Sequence, residues 1–308
     1  MPRRAARAAI IGTLRGLRLL RVAVMCHHFG TLPCIPGPRL LLPLIAVACY
    51  LFGAIELGVS AYQGNSHHGR GRRIAAAAIA AIGVVVHTAA LLQERRIEPL
   101  AALSLGDVLA LVALVIAVTA IAMALRPRLR GMAALLLGIA ALLEGAFSEG
   151  ARQFSMGRPG WELAFHVAMA TTAFGFLTIG AVLAVAQVVV ARRLRTRQPL
   201  GWLKILTPVE SIESGCFHSI LAGFTVLTLA LVTGAFFIED LFAQHLVHKV
   251  VLAIVAWVVF GILLLGRWRM GWRGRQALRW TLAGYALLGL SYFGSKLVLE
   301  NLLGKHWG

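Results

Sequence analysis

VVLAIVAWVVFGILLLGRWRMGWRGRQALRWTLAGYALLGLS, residues 250–291, decides the architecture. No charge interrupts it from Val250 to Gly266. Its centre sets Trp268, Trp272 and Trp280 among Arg267, Arg269, Arg273, Arg275 and Arg279, and a second apolar run occupies 278–299. A bilayer core about 30 Å thick needs roughly 20 apolar residues per helix. Arginine and tryptophan together mark the level where lipid meets water. The stretch reads as two membrane helices joined by a basic interfacial turn, and the tryptophans and arginines need no catalytic role.

Six more apolar runs lie upstream, near 40–60, 74–93, 106–125, 132–149, 161–191 and 215–238. Hydrophobic residues make up 59% of the 308 positions and charged residues 14%, against roughly 25% charge in a soluble domain. Mean hydropathy is +0.81. No water-soluble core hides that much apolar surface. Inside lipid every backbone N–H and C=O needs an internal partner, and Leu/Ala/Val runs with little proline satisfy them as helices. The expected fold is all-α, a polytopic integral membrane helix bundle with about eight transmembrane helices. The fifth run is long enough to tilt or to reach into water. Residues 39–308 form the membrane domain. Residues 1–38, with six arginines and then three prolines in 33–38, form a basic N-terminal arm. The arm lies on the membrane surface, is disordered, or is absent from a functional chain that begins near Met25.

The net charge of +18 resembles a nucleic-acid signal until its 30 Lys and Arg are placed. Outside the arm they fall between the apolar runs, as membrane loops require, so nucleic acid is not an expected partner. Sixteen follow spans one, three, five and seven, and eight lie on the opposite side. That excess puts the first set inside and both termini outside. Cys26, Cys34, Cys49 and Cys216 form no CxxC, which leaves them as small packing residues. TPVESIESGCF, 207–217, reads as a helix start. No phosphate-binding P-loop, HExxH or GxSxG occurs in its required context, so ATP hydrolysis, zinc proteolysis and serine hydrolysis lack support.

Ionisable groups within spans are costly and call for a partner or a purpose. Glu56 and His218 fall near inner ends; His87, Glu144, Glu149 and His166 fall on the outer half. His245 and His248 occupy the outer connection EDLFAQHLVHK. Neutral imidazoles facing one another across a bundle would make a haem or metal site. A lone membrane histidine serves equally as an interhelical hydrogen-bonding residue. His245 and His248, with Glu239 and Asp240, suit a divalent cation as well as a helix cap. His67 and His68 read as solvated loop residues.

Four segments carry a family resemblance: VVVHTAALLQERRI, WELAFHVAMATTAFGFLTIGAVLAV, ESIESGCFHSILAGFTVLTLALVTG and the run from Glu239 to Glu300. Over 40–303 the chain resembles the cytochrome c assembly protein family, most of all its CcsA-like branch of YpjD- and HemX-like inner-membrane proteins. The resemblance implies a multi-pass protein of the bacterial inner membrane that handles haem in cytochrome c maturation or haem homeostasis. Its implied partners are the bilayer, haem and other maturation proteins. Carried over by position, His166 matches the family's external histidine, and 239–249 falls where the Trp-rich WWD segment of the synthetases would lie, with Lys249 near that motif's Pro-Lys. The chain departs from the pattern there. No tryptophan lies between Trp202 and Trp257, Gly266-Arg267 replaces the histidine at the inner end of the next span, and His306 is the weak counterpart of the second external histidine. The candidate cofactor-binding set is therefore His166, His87, His306, His245 and His248, with no catalytic residue named. These departures argue against cytochrome c-haem lyase activity. The competing expectation is a small-solute or cation transporter using Glu56, Glu144, His87 and His218, although no internal repeat relates 40–149 to 161–299.

Overall fold

The computed structural model describes residues 38–63, 69–95, 105–147, 161–206, 208–237 and 247–301. Eight long helices account for nearly all of them: α1 (Pro38–Gln63), α2 (Gly69–Arg95), α3 (Leu105–Ala124), α4 (Arg130–Phe147), α5 (Trp161–Arg195), α6 (Val209–Phe237), α7 (Val247–Met270) and α8 (Gly274–Asn301). Short 3-10 segments, Pro127–Leu129 and Gly201–Leu206, lead into α4 and precede α6. There is no strand among the described residues. The chain divides into two units, Met1–Leu41 and Leu42–Gly308. Of the first, only the start of α1 is described, so residues 1–37 of the expected arm lie outside the described residues.

Each helix overlaps an apolar run and most extend past it, because the flanking residues can remain helical while their polar ends reach water. Among the described residues, seven helices, α1 to α7, are long and apolar enough to cross a membrane. The eighth, α8, carries Arg275 and Arg279 in its first two turns, so its apolar stretch starts later. The chain is a polytopic helical membrane bundle, as its composition requires.

The fifth helix is the hub. Sixty-seven per cent of its most apolar window is buried, against 22% for α7. Its seam with α6 is tight because small residues face large ones in both directions. A Cβ on Gly180 would sit 2.6 Å from Ile220 Cγ1, and one on Gly223 would sit 2.7 Å from Leu177 Cγ. Leu177 and Ile220 therefore each fill the notch left by the other helix's glycine. In lipid, where apolar side chains gain nothing by leaving the solvent, this close van der Waals fit is the main source of association. On the outside of the bundle Ile55, Val85, Leu142 and Phe236 stand exposed, as lipid contact allows.

Most threonines within the spans are matched locally. Thr88, Thr119, Thr171, Thr178, Thr228 and Thr281 each donate to the carbonyl four residues back, at 2.7–2.8 Å. Other bonds cross between helices: Trp257 Nε1 donates to Thr228 Oγ1 at 2.8 Å, and Ser291 Oγ donates to the Lys249 carbonyl at 2.7 Å. Glu56, one of the carboxylates that needed a partner, has Arg72 of α2 at 2.8 Å.

Candidate functional site

At the end opposite the arginine-rich connections, three spans bring ionisable side chains together. His87 lies eight residues before the end of α2 and Glu144 three before the end of α4, depths of about 12 Å and 5 Å at 1.5 Å per residue. His87 Nε2 is 2.9 Å from Glu144 Oε2, with the two side chains 0% and 4% exposed. The contact has ion-pair distance without hydrogen-bond alignment, so each atom depends on the other for what compensation it has. The other imidazole nitrogen, Nδ1, lies 3.1 Å from the Tyr50 hydroxyl of α1, which is itself fully buried. Gly83, one turn before His87, makes room for that tyrosine: a Cβ there would meet Tyr50 Cε1 at 2.9 Å. Both nitrogens of His87 are thus engaged by protein, and the ring would have to release one of them before ligating iron.

His166 stands five residues into α5 from the same end. It is half-buried, with Nδ1 3.3 Å from Thr233 Oγ1 of α6. The Thr233 hydroxyl itself donates to the Ala230 carbonyl at 3.0 Å, which leaves its oxygen to accept from the imidazole. The flat ring rests on Gly234, where a Cβ would lie 2.9 Å from Cε1. The seat fixes the ring plane. His87 and His166 therefore have separate partners, α1 and α4 for one, α6 for the other.

His245 and His306 lie outside the described residues, as does the side chain of His248. Glu149, Glu239, Asp240, His67 and His68 also fall outside them. No group of three or more metal-ligating side chains occurs among the described residues. His218 is exposed and bonds back within its own helix, with Nδ1 donating to the Ser214 carbonyl at 2.7 Å.

The arginine-rich end holds a second cluster. Glu213 of α6 takes Arg267 at 2.7 Å, Arg273 at 3.2 Å and Gln187 Nε2 at 3.1 Å, tying α5, α6, α7 and the turn before α8. Arg267, which stands where the resemblance would have a histidine, also stacks over Phe217 at 4.5 Å. Cys216 behind it is buried and donates to the Gly180 carbonyl. The sequence reading singled out His87 and Glu144 without pairing them, and it missed Tyr50, Thr233 and Glu213. Gly83 at one helical turn from His87 was the available signal for a large ring on that face. Nothing local marks Thr233, because its partner is 67 residues away.

Residues 73–303 match the Cytochrome C assembly protein family. The chain is 36% identical over 135 residues to the inner membrane protein YpjD of Escherichia coli K12, covering 44% of this chain and 51% of that protein. It is 35% identical over 150 residues to an uncharacterized 28.8 kDa protein of Azospirillum brasilense, covering 48% and 55%. It is 28% identical over 116 residues to the cytochrome c biogenesis protein CcsA of Prochlorococcus marinus NATL1A, covering 37% and 36%. The chain thus spans about half, or less, of the length of the curated relatives it matches. No solved structure matches it. The family match covers most of the membrane bundle, including α5, α6 and the buried His87, and on it the chain belongs to the cytochrome c assembly protein family.

Proposed function

We propose that the chain is a haem-handling protein of the bacterial inner membrane, serving cytochrome c maturation or haem homeostasis with other maturation proteins as partners. His166 carries this reading: a half-buried imidazole, seated on Gly234 and turned by Thr233 at 3.3 Å, within a cytochrome c assembly chain. Such a residue fits haem. A histidine that ligates metal through one nitrogen usually has the other held by a polar neighbour, which fixes the ring's direction. With Nδ1 on Thr233, Nε2 is the nitrogen for iron. Haem, when bound, would supply an iron that takes imidazole nitrogen. His166 would hold it, His245, His248 or His306 would give a second nitrogen, and His87 would stay with Tyr50 and Glu144. The arginine-rich end faces the cytoplasm and both termini face outward. Lyase chemistry is not assigned, since the segment 203–256 has no tryptophan to form an aromatic platform.

Haem added to the detergent-purified protein should show a saturable red shift and sharpening of its Soret band relative to haem in detergent alone, and His166→Ala should weaken haem affinity at least tenfold while the thermal unfolding midpoint of the haem-free protein changes little. Identical haem titrations for wild type and variant would remove His166 as the ligand. A spectrum no different from that of haem in detergent alone would remove the haem reading.

The buried Tyr50–His87–Glu144 cluster favours a second reading, cation or small-solute transport, because ionisable groups within a span often mark a translocation path. Proteoliposomes should then take up the cation, and Glu144→Gln should abolish uptake. Wild-type vesicles no more permeable than empty ones would end that reading.

A further inference from the structure

We infer that the turn between α7 and α8 is a docking surface for the headgroup of an anionic phospholipid. Five arginines, Arg267, Arg269, Arg273, Arg275 and Arg279, fall within thirteen residues, and no Asp or Glu occurs anywhere from 241 to 299. Among the described residues one carboxylate reaches this group. Glu213 takes Arg267 and Arg273, at 2.7 and 3.2 Å, and its third partner is Gln187.

Arg269, Arg275 and Arg279 are left exposed, with no carboxylate partner among the described residues. Arg275 and Arg279 are also four residues apart on α8, a spacing that puts like charges side by side and costs stability unless an anion lies between them. No carboxylate among the described residues supplies the opposing charge, and a lipid phosphate would.

The surroundings say which anion. Trp268 is 78% exposed and Met270 64%, on the outside of the bundle where lipid lies, and the Arg269 guanidinium sits over the Trp268 ring at 5.3 Å. An exposed indole at the end of a span settles at headgroup level. The guanidinium above it is therefore at the depth of lipid phosphate rather than out in bulk water. The turn is short and defined. Gly271 and Gly274 adopt φ of 65° and 57°, which glycine enters without strain, and the Trp272 N–H donates to the Gly266 carbonyl at 3.2 Å. Trp272 and Trp280 stack at 5.4 Å on its inner side. The end of α7 and the start of α8 are thus joined by a defined turn, with Arg269 in the last turn of one helix and Arg275 in the first turn of the other. Guanidinium forks match phosphate oxygens bidentately.

The test uses the full-length protein in a neutral detergent, with thermal unfolding followed on adding mixed micelles of phosphatidylglycerol or of phosphatidylcholine. Phosphatidylglycerol should raise the wild-type midpoint by several degrees, and phosphatidylcholine and free inorganic phosphate should not. Arg269→Gln/Arg275→Gln/Arg279→Gln leaves Glu213, Arg267 and Arg273 in place, and it should lose most of the rise. Each arginine near an anionic surface is worth about fivefold in lipid affinity. Should that variant fail to fold, wild type alone decides: the rise should vanish in about 1 M salt, where screening shortens to about 3 Å. Equal effects of the two lipids, an undiminished rise in the variant, a rise that survives salt, or the same rise with free phosphate would each overturn the proposal.

Discussion

Glu144→Leu is expected to cost about 2 kcal/mol of stability, because it strips the buried His87 Nε2 of its polar neighbour, and a buried polar atom left without one costs about 1–3 kcal/mol. His87 has nowhere to turn. It is 0% exposed, and its other nitrogen is already on Tyr50. Losing the tyrosine hydroxyl alone, in Tyr50→Phe, should cost only about 0.6 kcal/mol, the ordinary value for one interhelical hydrogen bond in a membrane protein. The informative variant is His87→Leu/Glu144→Leu. Apolar replacement of a whole buried pair is often neutral, so the double variant should be more stable than either single one. Reversible unfolding in mixed micelles measures all four. Purely additive losses would show that the two residues do not act as a pair.

The second large effect is expected at the α5–α6 seam. Gly180→Ala/Gly223→Ala drives a methyl group against Ile220 on one side and Leu177 on the other, at built separations of 2.6 and 2.7 Å. Overpacking of this kind costs about 1–3 kcal/mol at each position, so the pair should lose about 4 kcal/mol or yield little folded protein. Ile220 and Leu177 are both fully buried and cannot swing away. Adding Ile220→Ala to Gly180→Ala should recover part of the loss, since it reopens the notch. No recovery would mean that the backbones themselves, rather than these side chains, set the separation.

The helices were legible because lipid imposes a rule each segment obeys alone. An uncharged run such as 250–266 must close its own backbone hydrogen bonds, whatever surrounds it. The site was only half legible for the corresponding reason. Burial depth along a helix can be counted from its ends, which singled out His87, Glu144 and His166. The rotation of one helix against another cannot be counted, and that rotation is what gives Tyr50 to His87 and Thr233 to His166. Glu213 escaped notice because it reads as part of a polar helix start, while its two arginines lie more than fifty residues downstream. The departure at 266–267 from the pattern that the resemblance implies acquires a meaning only in three dimensions, where Arg267 is committed to a carboxylate and an aromatic face.

The length of α5 has one further effect. Its 35 residues make a rod about 52 Å long at 1.5 Å per residue, well over the roughly 30 Å of hydrocarbon it crosses. The surplus of about 20 Å has to stand beyond the hydrocarbon unless the helix tilts. Arg192, Arg193 and Arg195 occupy its last turns, so their charges can sit among headgroups or in water instead of in the acyl layer.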